Sequence, residues 1–317
     1  MKKIRILIPT YNEEKNVKEL ADCIIKHFET ELPEYDYMIM FIDNKSKDNT
    51  RQVIKEMASQ NEKIKAIFNA KNFGQFNSPY YGLIRNDIGG GSDATILMCA
   101  DFQDPVDMIK KFVRKWEEGY DVVAGIKTKS KENKFIRFLR TIYYKLIKHM
   151  SSISQIEHFT GFALYDNKFI NNLKKIDDPT PFLRGLVAEL SGNLATIEYT
   201  QQKRKAGKTS NNFKTLYDAA MLSVTTYTKK IPRVATIMGA LMSGLTFIST
   251  IVFTILSCTI KGFSVLFPIV SGVCFLSFIN MFFIGMLGEY LVNMNVRMLH
   301  RPLVIEESRI NMEQDDV

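Results

Sequence analysis

Histidine, cysteine and tryptophan are scarce in this 317-residue chain, with four, four and one respectively. Four scattered histidines do not make the ligand set of a zinc site, and each reads as a structural or surface residue. The cysteines show no close pairing, and two of them, Cys258 and Cys274, fall inside apolar runs. That usage points to a reduced compartment without a disulfide framework. The polar loops contain neither Gly-x-Gly-x-x-Gly nor Gly-x-x-x-x-Gly-Lys-Ser/Thr, which speaks against a dinucleotide-binding turn and a P-loop. No internal repeat and no low-complexity linker occurs.

Charge is also missing, but only locally. No charged residue stands from Val234 to Ile260 or from Gly262 to Gly288, two runs of 27 residues separated by Lys261 alone. As helices such runs span about 40 Å, enough to cross a hydrocarbon core of about 30 Å. They are expected to be two transmembrane helices joined by a tight turn. Lys229, Lys230 and Arg233 precede the first run, and Arg297, His300 and Arg301 follow the second. The positive-inside rule then puts both termini in the cytoplasm of a multi-pass protein of the inner (plasma) membrane. The stretch Met1–Pro9 has too short an apolar run for a signal peptide and no small-residue cleavage site.

The formal charge is +8, and it is concentrated. Eight Lys/Arg stand against one Glu between Lys127 and Lys148, and eight against Asp218 between Lys203 and Arg233. Beside membrane spans, such clusters suit anionic lipid or a phosphorylated substrate better than nucleic acid. Helices over Phe135–Met150 and Phe213–Lys230, both apolar and basic, are expected at the bilayer surface.

The first half of the chain alternates strand and helix patterns. Strands are expected over Ile4–Ile8 (apolar apart from Arg5), Tyr37–Ile42, Lys65–Phe68, Ile96–Met98 and Asp121–Gly125. Helices are expected over Val17–Phe28, Arg51–Ser59 with Asn49 or Thr50 as N-cap, from Gln75 to about Asn86, and over Pro105–Glu118 with Asp104 as N-cap. This alternation implies an α/β fold with a mostly parallel sheet covered on both faces. Ser151–Lys208 reads as a less regular stretch.

Three of the strands end in polar loops, at Tyr11/Asn12/Glu13, at Asp43 and at Asp101/Gln103. The crevice beyond the carboxyl ends of such strands is where open α/β sheets bind ligands. Asp and Gln offer hard oxygen ligands suited to Mg²⁺ or Mn²⁺ on a diphosphate. The alternative for the last loop is an ordinary strand–turn–helix junction.

Several of these segments together resemble glycosyltransferase family 2. They are Ile8-Pro9-Thr10-Tyr11-Asn12-Glu13-Glu14, the Asp-x-x-Ser-x-Asp of Asp43 to Asp48, Asn72-Phe73-Gly74-Gln75, and Asp101-Phe102-Gln103-Asp104-Pro105. The chain is most similar to the polyprenyl-phosphate branch, which includes dolichyl-phosphate mannose synthases and bactoprenol glucosyltransferases. Phe182-Leu183-Arg184-Gly185-Leu186, the run from Arg204 to Ser210, and Gly288-Glu289-Tyr290 agree, so the resemblance covers nearly the whole chain.

The resemblance implies a GT-A, Rossmann-like sheet followed by interface helices and two spans. The expected parts are a transferase domain over 1–210, a juxtamembrane helix over 211–233, spans over 234–260 and 262–288, and a cytoplasmic tail over 289–317. It implies that Pro9, Tyr11, Asn12, Glu13, Asp43, Asn72 and Gln75 hold the nucleotide and that Asp101 and Gln103 hold Mg²⁺ or Mn²⁺. Lys127, Arg137, Arg140 and Ser210 would meet the acceptor phosphate, and Asp101, Lys127, Arg137 and Arg204 would carry catalysis.

The implied reaction moves one sugar, with inversion, from a UDP- or GDP-sugar to a polyprenyl phosphate such as undecaprenyl phosphate, for cell-envelope glycan modification. The implied partners are the donor, the lipid acceptor, the membrane and further copies of the chain, with no nucleic acid. Three positions depart from the family pattern: Cys99 and Asn44 stand where it often has Asp, and Gly161 where Asp is common. They motivate a rival reading, a non-catalytic nucleotide-sugar-binding membrane protein. A second rival, a processive polysaccharide synthase, calls for more spans and a Gln-x-x-Arg-Trp motif, whereas the sole tryptophan is Trp116.

Overall fold

The computed structural model describes residues 1–129, 156–176, 178, 181–205, 266–298 and 301–312, with single positions 217, 221, 222, 241, 248 and 255. The N-terminal part alternates as the sequence predicts: β1 (Lys3–Thr10), α1 (Val17–Glu31), β2 (Asp36–Asp43), α2 (Thr50–Gln60), β3 (Ile64–Asn69), α3 (Gly74–Ile84), β4 (Ala94–Leu97), α4 (Met108–Glu117) and β5 (Val122–Lys129). Then follow β6 (Phe159–Asp166), α5 (Asn167–Leu173), α6 (Leu183–Leu190), β7 (Leu194–Thr200), α7 (Leu266–Met298) and β8 (Glu306–Ile310). The stretch expected to be less regular thus supplies two strands and two helices. Its strand patterns are short, and long-range pairing rather than local periodicity decides them.

The eight strands among the described residues form one sheet in the order β7-β5-β6-β4-β1-β2-β3-β8. β1 pairs in parallel with β2 and β4, and β2 with β3. β6 enters antiparallel between β4 and β5, and β8 closes the far edge antiparallel to β3. Six strands therefore run one way, which is the mostly parallel α/β architecture. Both faces are buried, as parallel sheets require. Ile4, Ile6 and Ile8 of β1 pack with Leu20, Ile24 and Phe28 of α1 and Phe112 of α4, while Leu7 packs with Tyr80 and Leu83 of α3 on the opposite face.

Arg5 is fully buried on that second face. Its guanidinium donates to the carbonyls of Arg85 (2.8 Å) and Leu83 (2.9 Å) at the C-terminal end of α3 and to Thr95 Oγ1 (3.0 Å). Helix C-termini leave carbonyls without intrahelical partners, so a lone cation in an apolar strand is used to pin α3 onto the sheet. Burial lowers the Arg5 pKa to about 9. Gly82 of α3 lies over the same strand, and a Cβ there would stand 2.9 Å from Leu7 Cδ1.

Two expected N-caps are not used. Asn49 makes no side-chain cap, and the Thr50 amide donates instead to Asp48 Oδ1 (3.1 Å). α4 begins at Met108 rather than Pro105, because the Asp104 carboxylate turns back to accept the Cys99 amide at the end of β4 (2.9 Å).

Of the first charge-free run only Leu241, Ile248 and Ile255 are described, each helical and exposed. Of the juxtamembrane helix only Tyr217, Met221 and Leu222 are, and the basic stretch over 135–150 lies outside the described residues. Among the described residues no helix is long and apolar enough to cross a membrane. α7 has 33 residues, about 50 Å, and its first charge is Glu289. Part of the expected tail, Glu306–Ile310, is a strand of the same sheet as β1.

Candidate active site

The loops after β1, β2 and β4 share a feature that marks the crevice. Each holds a non-glycine residue with positive φ: Asn12 at 58°, Lys45 at 61° and Phe102 at 61°. Such conformations persist where surrounding contacts over-determine them, and they cluster at functional sites. Here the contacts are mutual. The Asn12 amide donates to Ser46 Oγ (2.9 Å), Asn12 Oδ1 accepts from the Lys47 amide (2.8 Å), and the Glu13 amide donates to Thr50 Oγ1 (2.8 Å). Asn12 is therefore a strut between two loops.

Asp43, fully buried, ends β2. Its Oδ2 accepts from Arg51 Nε at 2.6 Å and from the Ser46 amide at 3.1 Å, while Oδ1 has no partner among the described residues. A buried acceptor left unmade costs about 1–3 kcal/mol.

Asn44 uses its amide fully. Oδ1 accepts from the Phe73 amide (2.8 Å) and Asn69 Nδ2 (3.2 Å), and Nδ2 donates to Asn72 Oδ1 (2.9 Å) and the Gly74 carbonyl (3.1 Å). An aspartate could not make the two donations. The departure at Asn44 thus organises the Asn72–Gly74 loop, and Asn72, expected at the nucleotide, serves in that loop. Gln75 is exposed at the start of α3, and Pro9 and Tyr11 are half-buried at the end of β1. Gly161 has a structural reason too, since its φ of +104° is one that side-chain-bearing residues rarely adopt.

Around Asp101 the expected residues converge. Its Oδ2 accepts from Arg204 Nη2 (2.8 Å) and Nε (2.9 Å), and Arg204 Nη1 stands 3.7 Å from Glu13 Oε1. Burial raises the Glu13 pKa, opposed by its bonds to Asn16 and the charge of Arg204. Gln103 Oε1 accepts from Gln201 Nε2 (2.8 Å), so the segment after β7 is strapped across this loop.

Asp101 and Gln103 carry the hard oxygen types a divalent cation takes, and in this structure Asp101 Oδ2 is held by Arg204, Asp101 Oδ1 by the Gln103 amide and Gln103 Oε1 by Gln201. No group of three carboxylate, histidine or cysteine side chains among the described residues could hold one, so such a cation would draw its remaining ligands from substrate phosphate, as Mg²⁺ commonly does. Lys127 sits in β5 opposite Tyr199 of β7. Arg137, Arg140 and Ser210 lie outside the described residues.

Sequence reasoning missed Arg51, Tyr199 and the true role of Asp104. Arg51 had a signal: a cation in the first turn of a helix opposes the dipole and needs a nearby anion. Tyr199 had none. Its hydroxyl reaches Asp104 Oδ1 at 3.1 Å, across 95 positions of sequence.

Burial raises the Asp104 pKa from 3.8 to about 6, against its bonds to Cys99 and Tyr199. The folded chain then keeps this proton at pH values where the unfolded chain has lost it. Asp104 therefore makes stability fall as pH rises from about 4 to about 6, with no further change above. Replacing it by Asn keeps one acceptor and one hydrogen-bonding group. Asp104→Asn is expected to flatten that limb in thermal unfolding scans between pH 4 and 7, with a gain at pH 7 on the order of 2–3 kcal/mol. A slope equal to that of the wild type refutes the assignment.

The described residues form a mostly parallel α/β sheet with polar residues gathered in a crevice at the strand ends, where open sheets of this kind bind ligands. The chain belongs to glycosyl transferase family 2, whose model matches residues 5–190. It is 31% identical over 311 residues to the putative glycosyltransferase CsbB of Bacillus subtilis, covering 97% of this chain and 92% of that one. It is 28% identical over 311 residues to the bactoprenol glucosyl transferase of Shigella phage SfV, covering 96% and 97%. Among solved structures, glucosyl-3-phosphoglycerate synthase from Mycobacterium tuberculosis, in complex with Mn²⁺, UDP and phosphoglyceric acid, superposes with a TM-score of 0.48. It is 13% identical, over 71% of this chain and 77% of that one.

Proposed function

We propose that this chain transfers one sugar from a nucleoside diphosphate sugar to a polyprenyl phosphate of the bactoprenol kind, with inversion. The observation that carries the reading is the crevice that sets Asp43, whose Oδ1 has no partner among the described residues, and the Asp101–Arg204–Glu13 charge cluster at adjacent strand ends. The names of the relatives support the acceptor class. With Oδ2 taken by Arg51, Asp43 has one oxygen to offer a base. That suits the single imide N–H of uracil, whereas guanine presents two adjacent donors, so the preferred donor is UDP-linked.

A phosphate monoester has a second pKa near 6 and is already an anionic nucleophile at neutral pH. No strong general base is then required. Its oxygen forms the bond to the anomeric carbon as the bond to the nucleotide diphosphate breaks, in one displacement. Arg204 neutralises the departing diphosphate and Lys127 holds the acceptor phosphate in line. A divalent cation bound by Asp101 and Gln103 would add charge stabilisation on the diphosphate. Lys127→Ala is expected to raise the lipid KM about tenfold while nucleotide affinity stays unchanged; unaltered kinetics in the variant remove Lys127 from the acceptor site.

The reading includes a membrane anchor of two helices, with the transferase domain on the cytoplasmic face and copies of the chain packing through their spans. Its support is the pair of charge-free runs and the exposed apolar side chains of α7, among them Leu266, Ile284, Leu287 and Leu291. Strand pairing adds a constraint. β8 follows both runs yet lies in the sheet with β1–β7, which precede them. This pairing supports an even number of crossings, as a hairpin of two helices makes.

The test is transfer in membranes with undecaprenyl phosphate, Mg²⁺ or Mn²⁺, and a panel of radiolabelled UDP- and GDP-sugars. The expected result is a cation-dependent, chloroform-soluble product from a UDP-sugar. Nucleotide binding without product from any donor supports the non-catalytic reading.

A further inference from the structure

We infer that Glu307, on the strand that follows the last helix, is a positioning residue for the nucleotide, acting through Arg51 on Asp43; this rests on the reading of the crevice as a nucleotide site. Arg51 spreads its guanidinium over three partners: Nε to Asp43 Oδ2 (2.6 Å), Nη1 to Glu307 Oε2 (3.0 Å) and Nη2 to the Asn69 carbonyl (2.8 Å). The guanidinium carbon lies 5.1 Å from the centre of the Phe68 ring. Each contact removes one freedom of a long side chain, and together they direct Nε at a single carboxylate oxygen. Asp43 is thereby held with Oδ2 engaged and Oδ1 left over.

Glu307 occupies a special place in its strand. β8 pairs Phe68 with Ser308 and Asn69 with Glu306, so the register slips at Glu307 and leaves it as the extra residue of a bulge. Bulges re-aim side chains. This one sends the Glu307 carboxylate toward Arg51 and toward Lys45 Nζ at 2.6 Å, and both cations lower its pKa. Lys45 is the residue with left-handed φ in the loop after β2, so one carboxylate restrains both the loop and the arginine.

The strand itself is fastened at both ends. Tyr81 donates to Glu306 Oε1 (2.7 Å), and Asn311 Nδ2 donates to the carbonyls of Ala58 (2.7 Å) and Ile64 (2.9 Å). The Ala70 amide donates to the Ile305 carbonyl (2.9 Å). The segment carrying Glu307 is thus built into the sheet edge beside the crevice.

The experiment measures UDP binding by calorimetry to the full chain in detergent, for wild type, Glu307→Gln, Asp43→Asn and the double variant, with thermal unfolding of each. Glu307→Gln is expected to raise the UDP dissociation constant about three- to fivefold, the scale of one partly exposed ion pair, with the unfolding midpoint unchanged. In the Asp43→Asn background the same change is expected to have no further effect on affinity, since its route runs through Asp43. Equal UDP affinity in wild type and Glu307→Gln overturns the inference, and so does an undiminished effect in the Asp43→Asn background. Wild type that binds neither UDP nor GDP overturns the reading of the site and this inference with it.

Discussion

Asp101→Ala is expected to lower sugar transfer on the order of a thousandfold while the protein still folds. The side chain is buried at the end of β4, yet its charge partner Arg204 is partly open to solvent. Removing the carboxylate therefore strands no buried cation, because Arg204 can turn to water. Folding should change little. Transfer should change greatly, since Asp101 is the carboxylate beside Gln103 that suits a divalent cation, and it also orients Arg204. Loss of one preorganised charge contact in such a site costs about 10²–10³ in rate, and loss of two functions with one side chain brings the upper end. Initial rates at saturating donor and lipid, alongside the unfolding midpoint, decide the matter. Activity within tenfold of wild type removes Asp101 from the cation site.

Arg5→Ala is expected to have the largest effect on stability, about 3–5 kcal/mol, the scale for dismantling a buried charged network. The substitution removes four hydrogen bonds, one of them to Met40 Sδ, and leaves the carbonyls of Leu83 and Arg85 without their donor. For a chain of this size that corresponds to roughly a 10 °C fall in the unfolding midpoint. Arg5→Met, which keeps the stem but not the donors, should fall between the two. An Arg5→Ala midpoint within about 2 °C of wild type shows that water reaches the α3 carbonyls and replaces the guanidinium.

Local pattern carried much of the fold. The five expected strands from Ile4 to Gly125 each lie within or beside an observed strand, because each is a short apolar run closed by polar residues. The helices on the sheet follow from spacing such as Val17, Leu20, Ala21, Ile24 and Phe28, which makes one buried stripe. The crevice was legible for the same reason: polar groups at the ends of buried strands have to face something other than core.

What pattern could not carry was pairing at a distance. β6 inserts between β4 and β5 although it comes after both, and β8 joins the far edge from the other side of α7. A strand of five to eight residues has no sequence mark for its neighbour. Asp104 looked like a helix cap by position and is instead a buried acceptor, because Tyr199 arrives from β7. Asn44 looked like a lost aspartate, and its four hydrogen bonds show why an amide is needed there.

The sequence alone determined the alternation of strand and helix, the two charge-free runs, and the identity of the polar residues at the strand ends. Each follows from chemistry within a few neighbours: burial, periodicity and the preference of charge for water. Tertiary structure alone decided which oxygen of Asp43 has no partner among the described residues, that Arg204 and Glu13 meet at Asp101, and that a residue as late as Glu307 belongs beside the crevice. Those outcomes depend on groups tens to hundreds of positions apart, brought within hydrogen-bond distance only when one sheet is assembled.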